Sequence, residues 1–580
     1  MSTKRAKFWT WKPFSSWSHI LLIGIVVLAL ILRLVGNTHT PPSPYWEEVA
    51  LGYDAYSILK TGADHQGNIF PIVAFPSFGD FKPSGYFYAL VPVIAAFGLN
   101  TWSVRLPAVL ASTLLTLFVY WWAKDLSGKR SIGLWSALFW AIQPWGWWLG
   151  RIGFEVNLAT FFLIAGSYWL HRGLAFLPEF AKNSKRRKLL TLYAWTIPAT
   201  LFLALSMYTY HGARALAPLF AALLVMWHWW QLPPQKRWAT QVIWLFMSIA
   251  GLALLLTTPI LLESGSPIVQ QRIAETSVFS SLEPVETSNH FRELAGNTWW
   301  SRIIYHRYIF WGRQLTTNYL SHFSPSFLFG SGDSNPRHSS QFFGLLYPWE
   351  ILTVLTGIGA AWITRKSRFV LLAALTLATP IAAMVTLATP HGLRAFPVAI
   401  WLAIFSGWGI HALVQWLHNQ SANWPWLKAQ PVWQHSRQIG FTVGVLGVCF
   451  VSTAVLAFHL WYQYPHEYAH EWQYGYEEMI QKIRTHQQQN EKLFVSRSLG
   501  RPSMYVLFYE QVDPLLTQEV SQTAEKDQRE LLEFQEWSFF TGQKHADGLH
   551  AAPPELVPEE ANRVDSVEDL NGKTVWVLYR

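Results

Sequence analysis

Long apolar runs decide what this chain can fold into. The first extends from about Ile20 to Val35 and, with its flanks, is long enough to cross a bilayer as a helix. Ten more follow, near 102–123, 131–149, 155–172, 189–208, 212–230, 239–261, 346–364, 368–388, 393–416 and 439–462. A backbone surrounded by lipid must satisfy its own hydrogen bonds, which leaves helices as the solution for such segments. The expected fold class is an α-helical polytopic membrane protein with about 11 transmembrane helices. Only 14% of residues are charged, against about 25% in soluble domains.

Basic residues punctuate the runs. Lys4, Arg5, Lys7 and Lys12 precede the first; later clusters include Lys124–Arg130, Arg172–Lys188, Lys236–Arg237, Arg365–Arg368 and Lys428 with Arg437. The positive-inside rule places the N-terminus and these loops in the cytoplasm. The +9 net charge thus records membrane topology and excludes a nucleic-acid partner. The alternation holds only if the apolar segment 84–98 is an interfacial or re-entrant helix, since about fifteen residues make a short span. No small-residue cleavage site follows the first run, so it reads as an uncleaved anchor. The single cysteine, Cys449, lies in an apolar run and allows no intrachain disulfide.

This arrangement divides the chain into a membrane domain, 1–462, and an extracytoplasmic soluble domain, 463–580, in an inner-membrane protein. Two outer loops, 37–101 and 262–345, belong to the first part. The first is expected to hold a helix near 48–60, a turn over Thr61–Gly67 and the short apolar helix. The second carries helix-like patches around 267–280 and 290–315. In the tail, Tyr474–Gln488 reads as an amphipathic helix and Lys492–Ser496 and Thr574–Tyr579 as strands. Its Glu-, Gln- and Pro-rich middle, 519–570, reads as loosely packed.

Polar chemistry gathers on the outer face. Glu47 and Glu48 follow the first span; Lys82 precedes the short helix; Arg151 and Glu155 occupy a tight turn; Asp333, Asn335, Arg337 and His338 lie in a Gly- and Ser-rich loop. Two further turns share a His-Gly-x-Arg pattern, His211 with Arg214 and His391 with Arg394. A carboxylate can take the proton of an attacking hydroxyl. Cations can hold a phosphate and meet the charge that grows as it leaves. Blander readings exist for each: Glu48 as a helix cap, Glu155 as a partner of Arg151 across one turn, Lys82 as an interface anchor, and Asp333 and Asn335 as turn closers. Trp145, Trp147 and Trp148 read as interface belt.

The order of these elements resembles the GT-C membrane glycosyltransferases of the family 39 type, which include protein O-mannosyltransferases and lipid A aminoarabinose transferases. An acidic pair after the first span is matched by Glu47-Glu48, with Glu in the place usually held by Asp. The Gly-Tyr-x-Ala-Tyr helix start matches Gly52–Tyr56, and Thr61-Gly62 matches the turn after it. A Lys-Pro-Pro element is similar to Lys82-Pro83-Ser84, with the last proline lost; Phe97-Gly98 and Ser103-Val104-Arg105-Leu106-Pro107 continue the series. These matches cover about the first third of the chain.

The resemblance implies a GT-C-like fold and transfer of a sugar, with inversion, from a polyprenyl-phosphate donor to an acceptor hydroxyl on a lipid, protein or glycan at the outer face. It casts Glu47 as the base, with Glu155 assisting and Glu48 beside it, and Lys82, Arg151, Arg337, His338, His211, Arg214, His391 and Arg394 as candidates for holding donor phosphate or substrate. Hard cations take oxygen ligands, so a divalent metal near the two carboxylates is chemically reasonable. The resemblance implies none, and no cofactor is expected. The alternatives are a ligase or polymerase of lipid-linked glycans and, from another class, a transporter or flippase. Transport calls for ionisable groups near mid-membrane, whereas here they collect at the outer ends.

Overall fold

The computed structural model describes residues 17–77, 80–182, 186–263, 265–266, 276–421, 431–523, 526–527, 530–543 and 546–580. The basic residues Lys4, Arg5, Lys7, Lys12, Lys185 and Lys428, together with most of the helix-like patch at 267–280, lie outside the described residues.

Among the described residues seven helices are long and apolar enough to cross a membrane: Trp17–Leu34 (α1), Thr101–Ser127, Arg186–Thr209, Thr240–Glu263, Glu350–Met384, Val398–Leu417 and Ile439–Trp472. The expected count was larger, for physical reasons. The run at 131–149 breaks at Gln143-Pro144 into Arg130–Ile142 and Pro144–Leu149. The run at 155–172 is the helix Glu155–Leu174, which buries Asn157, Thr160, Ser167 and His171 against its neighbours. A helix enclosed by other helices needs less lipid-compatible surface. The run at 212–230 forms the helix Ala213–Trp230, whose last turn carries Trp227, His228, Trp229 and Trp230. The runs at 346–364 and 368–388 make one helical stretch kinked at Arg365 (φ −146°, ψ 52°). Small residues allow tight crossings in such a bundle. A Cβ on Gly357 or Gly409 would fall 1.9 Å from the carbonyl of Phe405 or Thr353, so these two helices meet backbone to backbone.

The loop after α1 carries regular structure in its described residues. Helix α2 runs Trp46–Thr61 and stops at Gly62, whose φ of 75° ends it in the left-handed region. A hairpin of β1 (Ala74–Ser77) and β2 (Asp80–Pro83), unforeseen in the sequence, pairs Phe75 with Lys82. The short helix α3 (Gly85–Phe97) and then α4 (Thr101–Ser127) follow, the latter capped by the Asn100 side chain on the Ser103 N–H at 2.9 Å. Among the described residues of 262–345, α-helices run over Glu283–Leu294, Trp299–Ile304 and Arg307–Ser321.

The last membrane helix continues into the tail without a break. There the expected helix and both strands form, as Tyr476–His486, Leu493–Ser496 and Thr574–Tyr579. The middle departs from expectation. Segments 533–534, 537–540, 549–552 and 563–568 supply four strands of a six-stranded sheet, in which 493–496 runs parallel to both its neighbours. Strands of two to six residues carry too few alternations to register as a pattern. The sheet domain shares one apolar core with the loop after α1 and the start of α4: Tyr53 and Ile58 of α2 and Val104 of α4 cluster with Tyr476, Tyr505 and Trp576 of the tail.

Candidate functional site: a lysine held between two carboxylates

The start of α2 separates the acidic pair by one helical step of about 100°, and the two side chains go to different places. Glu48 turns inward. Its oxygens accept from Arg105 Nε (2.8 Å) and NH2 (3.0 Å), from the Gly153 N–H (2.8 Å) and from the Tyr45 N–H (3.1 Å). Both ions are fully buried. Arg105 also donates to the carbonyls of Asn37, Pro41 and Ser43. Glu48 therefore caps α2 and ties the post-span loop to α4 rather than facing an open site. A Cβ on Gly153 would sit 3.1 Å from both Glu48 Oε1 and the Val104 carbonyl, so a side chain there would crowd the ion pair. The Ser-x-Arg-Leu-Pro motif marked Arg105, but its role was invisible without its partner.

Glu47 points the other way, to Lys82. Lys82 Nζ lies 3.2 Å from Glu47 Oε2 and 3.1 Å from Glu155 Oε1. The lysine and Glu155 are buried, whereas the Glu47 side chain keeps 34% of its surface open. Of the two carboxylates, Glu47 is the one a large substrate can reach. Burial works against charge on Lys82, but Glu155 and Glu47 together outweigh it and raise its pKa, so the ammonium stays charged. Glu155 thus pairs with Lys82, not with Arg151. Arg151 instead donates to the carbonyls of Thr40 (3.0 Å) and Leu32 (2.6 Å), bracing the loop beyond α1.

Two tyrosines border the cluster. Burial raises the Tyr45 pKa, and the nearby charges that act on it are Glu47, Arg337, Lys82 and Glu471. The Arg337 guanidinium lies over the Tyr45 ring, 4.5 Å from its centroid, and bonds Glu471 Oε2 at 2.8 Å. Tyr210 is raised by burial to about 12, in the fields of Arg394, Glu155, Glu47 and Lys82. The contact with the Tyr45 ring brings Arg337, from a distant part of the sequence, next to the helix start that carries Glu47. Arg394 NH1 also donates to Thr386 Oγ1 at 2.6 Å.

The first His-Gly-x-Arg turn supports the hairpin. His211 Nε2 bonds the Phe81 carbonyl at 3.0 Å, and Arg214 NH2 bonds the Val73 carbonyl at 3.3 Å. Burial, then Arg214, pushes the His211 pKa down to about 4, so the neutral ring donates from Nε2 and steadies β2 next to Lys82. The 333–338 loop closes as expected, the Asp333 and Asn335 side chains accepting from the N–H groups of Asn335 and Arg337. His338 bonds Asp333 and stacks on His391. Trp145, Trp147 and Trp148 are core residues, not an interface belt: all are buried, and Trp145 and Trp148 donate to the carbonyls of Gly392 and Arg337. A cavity of about 510 Å³ lies elsewhere, between Ser43, Trp102 and the tail's Glu477 and Glu478, and none of the lysine-cluster residues line it.

No protein-family model and no curated protein matches this chain by sequence. Solved structures do. ArnT from Cupriavidus metallidurans, bound to undecaprenyl phosphate, matches with a TM-score of 0.52 and 12% identity over 97% of this chain and 97% of that one. The fold is GT-C. The Archaeoglobus fulgidus oligosaccharyltransferase tethered with an acceptor peptide matches with a TM-score of 0.52 and 13% identity, over 86% of this chain. Only 63% of the archaeal chain is covered, so this chain spans less than two thirds of that enzyme's length. The GT-C fold, with its apolar helices, makes this a membrane protein. Its lysine–carboxylate cluster joins Glu47 and Lys82, on the loop after α1, to Glu155 at the start of the helix Glu155–Leu174.

Proposed function

We propose that this GT-C protein transfers a sugar from a polyprenyl-phosphate donor to an acceptor hydroxyl at the outer membrane face, with inversion. One observation carries the reading: Lys82 joins a buried and an accessible carboxylate, at 3.1 Å from Glu155 and 3.2 Å from Glu47. The undecaprenyl phosphate bound by structurally similar ArnT supports the donor class.

In the reaction, the acceptor oxygen attacks the anomeric carbon as the bond from that carbon to the phosphate oxygen breaks. The hydroxyl proton passes to Glu47, and the electron pair leaves with the polyprenyl phosphate. Lys82 meets the negative charge of the leaving phosphate. The donor phosphate displaces Glu47 from Lys82 as it binds, which frees the carboxylate to serve as base. Glu155 stays on the lysine and fixes its position. Arg337 and Arg394 complete a cationic rim, and the Tyr45 and Tyr210 hydroxyls supply further donors.

Detergent-solubilised protein incubated with a panel of polyprenyl-phosphate sugars and candidate acceptors tests this directly. Release of polyprenyl phosphate from one donor, dependent on acceptor, is expected. A transporter releases none from any donor, and that outcome removes the proposal.

A further inference from the structure

One polar cluster is not used by this chemistry. Asp333 and His338 lie in the 333–338 loop, and His391 lies in the second His-Gly-x-Arg turn. One potential ligand atom from each, a carboxylate oxygen and two ring nitrogens, all fall within 4.8 Å of one another. Asp333 Oδ2 and His338 Nδ1 are 3.1 Å apart, close to the roughly 3.4 Å between two ligands of a tetrahedral zinc ion with bonds near 2.1 Å. The remaining approach is about an ångström, within the reach of two side chains on loops.

Two further observations set this cluster apart from a turn that happens to hold histidines. His391 Nδ1 is buried and has no hydrogen-bond partner, and a buried polar nitrogen left so is unfavourable. The cluster also has the surrounding bonds that hold metal ligands in place. The Gly392 N–H donates to Asp333 Oδ2 at 2.6 Å and the Asn335 N–H to Oδ1 at 2.9 Å. The His391 N–H donates to His322 Nε2 at 3.2 Å, while His322 Nδ1 donates to the Asn318 carbonyl at 2.8 Å. Trp145 donates to the Gly392 carbonyl below.

We infer that Asp333, His338 and His391 form a site for a divalent ion of the zinc class, which clips the 333–338 loop to the 389–394 turn. Two imidazoles and one carboxylate suit zinc or cobalt; magnesium prefers oxygen ligands throughout. The ion's role is positional. It locks the loop that carries Arg337, which lies over Tyr45, and the turn that carries Arg394. This claim concerns metal binding and stands apart from the reaction proposed above.

The full chain, solubilised and stripped with a chelator, is dialysed against zinc with a hundredfold excess of magnesium, and bound metal is measured by elemental analysis. One zinc per chain is expected. Asp333→Asn and His391→Ala should each weaken zinc binding at least a hundredfold, whereas Glu47→Gln and Glu155→Gln should retain it. Cobalt added to the wild-type chain should give the visible d–d bands of nitrogen-coordinated metal, a readout that survives if a variant fails to fold. No stoichiometric zinc, no cobalt bands, or loss of metal only in the Glu47 and Glu155 variants would each overturn the inference.

Discussion

At the scale of single residues, the acidic pair has two separate tasks. Glu47 is accessible and lies against Lys82; on the mechanism proposed here, Glu47→Gln keeps the shape and loses the base. Turnover should fall about a hundredfold to ten-thousandfold, with the melting temperature near that of the wild type and donor binding retained. Single-turnover kinetics with a bound lipid donor measures this, and near-normal turnover would assign the base elsewhere. His211 makes a different prediction. Its pKa falls from 6.5 to about 4 on folding, through burial and then Arg214, with Lys82 also nearby. Unfolded chain therefore binds more protons between those values, and stability drops as pH falls from 6.5 towards 4. In His211→Gln the acid limb of a melting-temperature profile should be shallower by about one proton; an unchanged slope would mean that the ring is not buried neutral.

At the scale of elements, the loop after α1 is held by a buried ion pair. Removing one partner of such a pair strands the other charge and costs about 3–5 kcal/mol. Glu48→Gln leaves Arg105 without its counter-ion among the carbonyls of Asn37, Pro41 and Ser43. A large fall in thermal stability is expected, with turnover per folded molecule largely kept. That is the opposite signature to Glu47→Gln. If Glu48→Gln melts normally and is inactive, the roles of the pair are reversed. The same scale explains the hairpin: β1 and β2 are only four residues each, and His211 and Arg214 from another loop hold them. Local propensity alone would not have made them.

At the scale of the molecule, the sheet domain and the first outer loop share a core. Tyr53 Oη also donates to the Val512 carbonyl, and Gln518 Nε2 reaches the Asp64 carbonyl. A chain truncated after residue 462 should thus expose Tyr53, Ile58 and Val104 to water. Limited proteolysis in detergent should cut α2 rapidly in the truncated chain and slowly in the intact one; equal protection in both would show that the tail is an independent unit. The tail packs against the loop that carries Glu47.

Some of this was legible in the amino-acid order alone. Apolar length dictates membrane helices because lipid offers no partner for a bare backbone; α2, its glycine stop and Tyr476–His486 follow from local rules that act within a few residues. The acidic pair and Lys82 stood out because charge is scarce in this chain. Their partners could not be read. Which carboxylate turns to Arg105 and which to Lys82 depends on contacts 57 and 73 residues apart for Glu48 and Glu155. The approach of Asp333 to His391 and the enclosure of the tryptophans likewise arise only when distant helices pack. Sequence determines what each segment can be at its own range; long-range packing alone decides which charges meet.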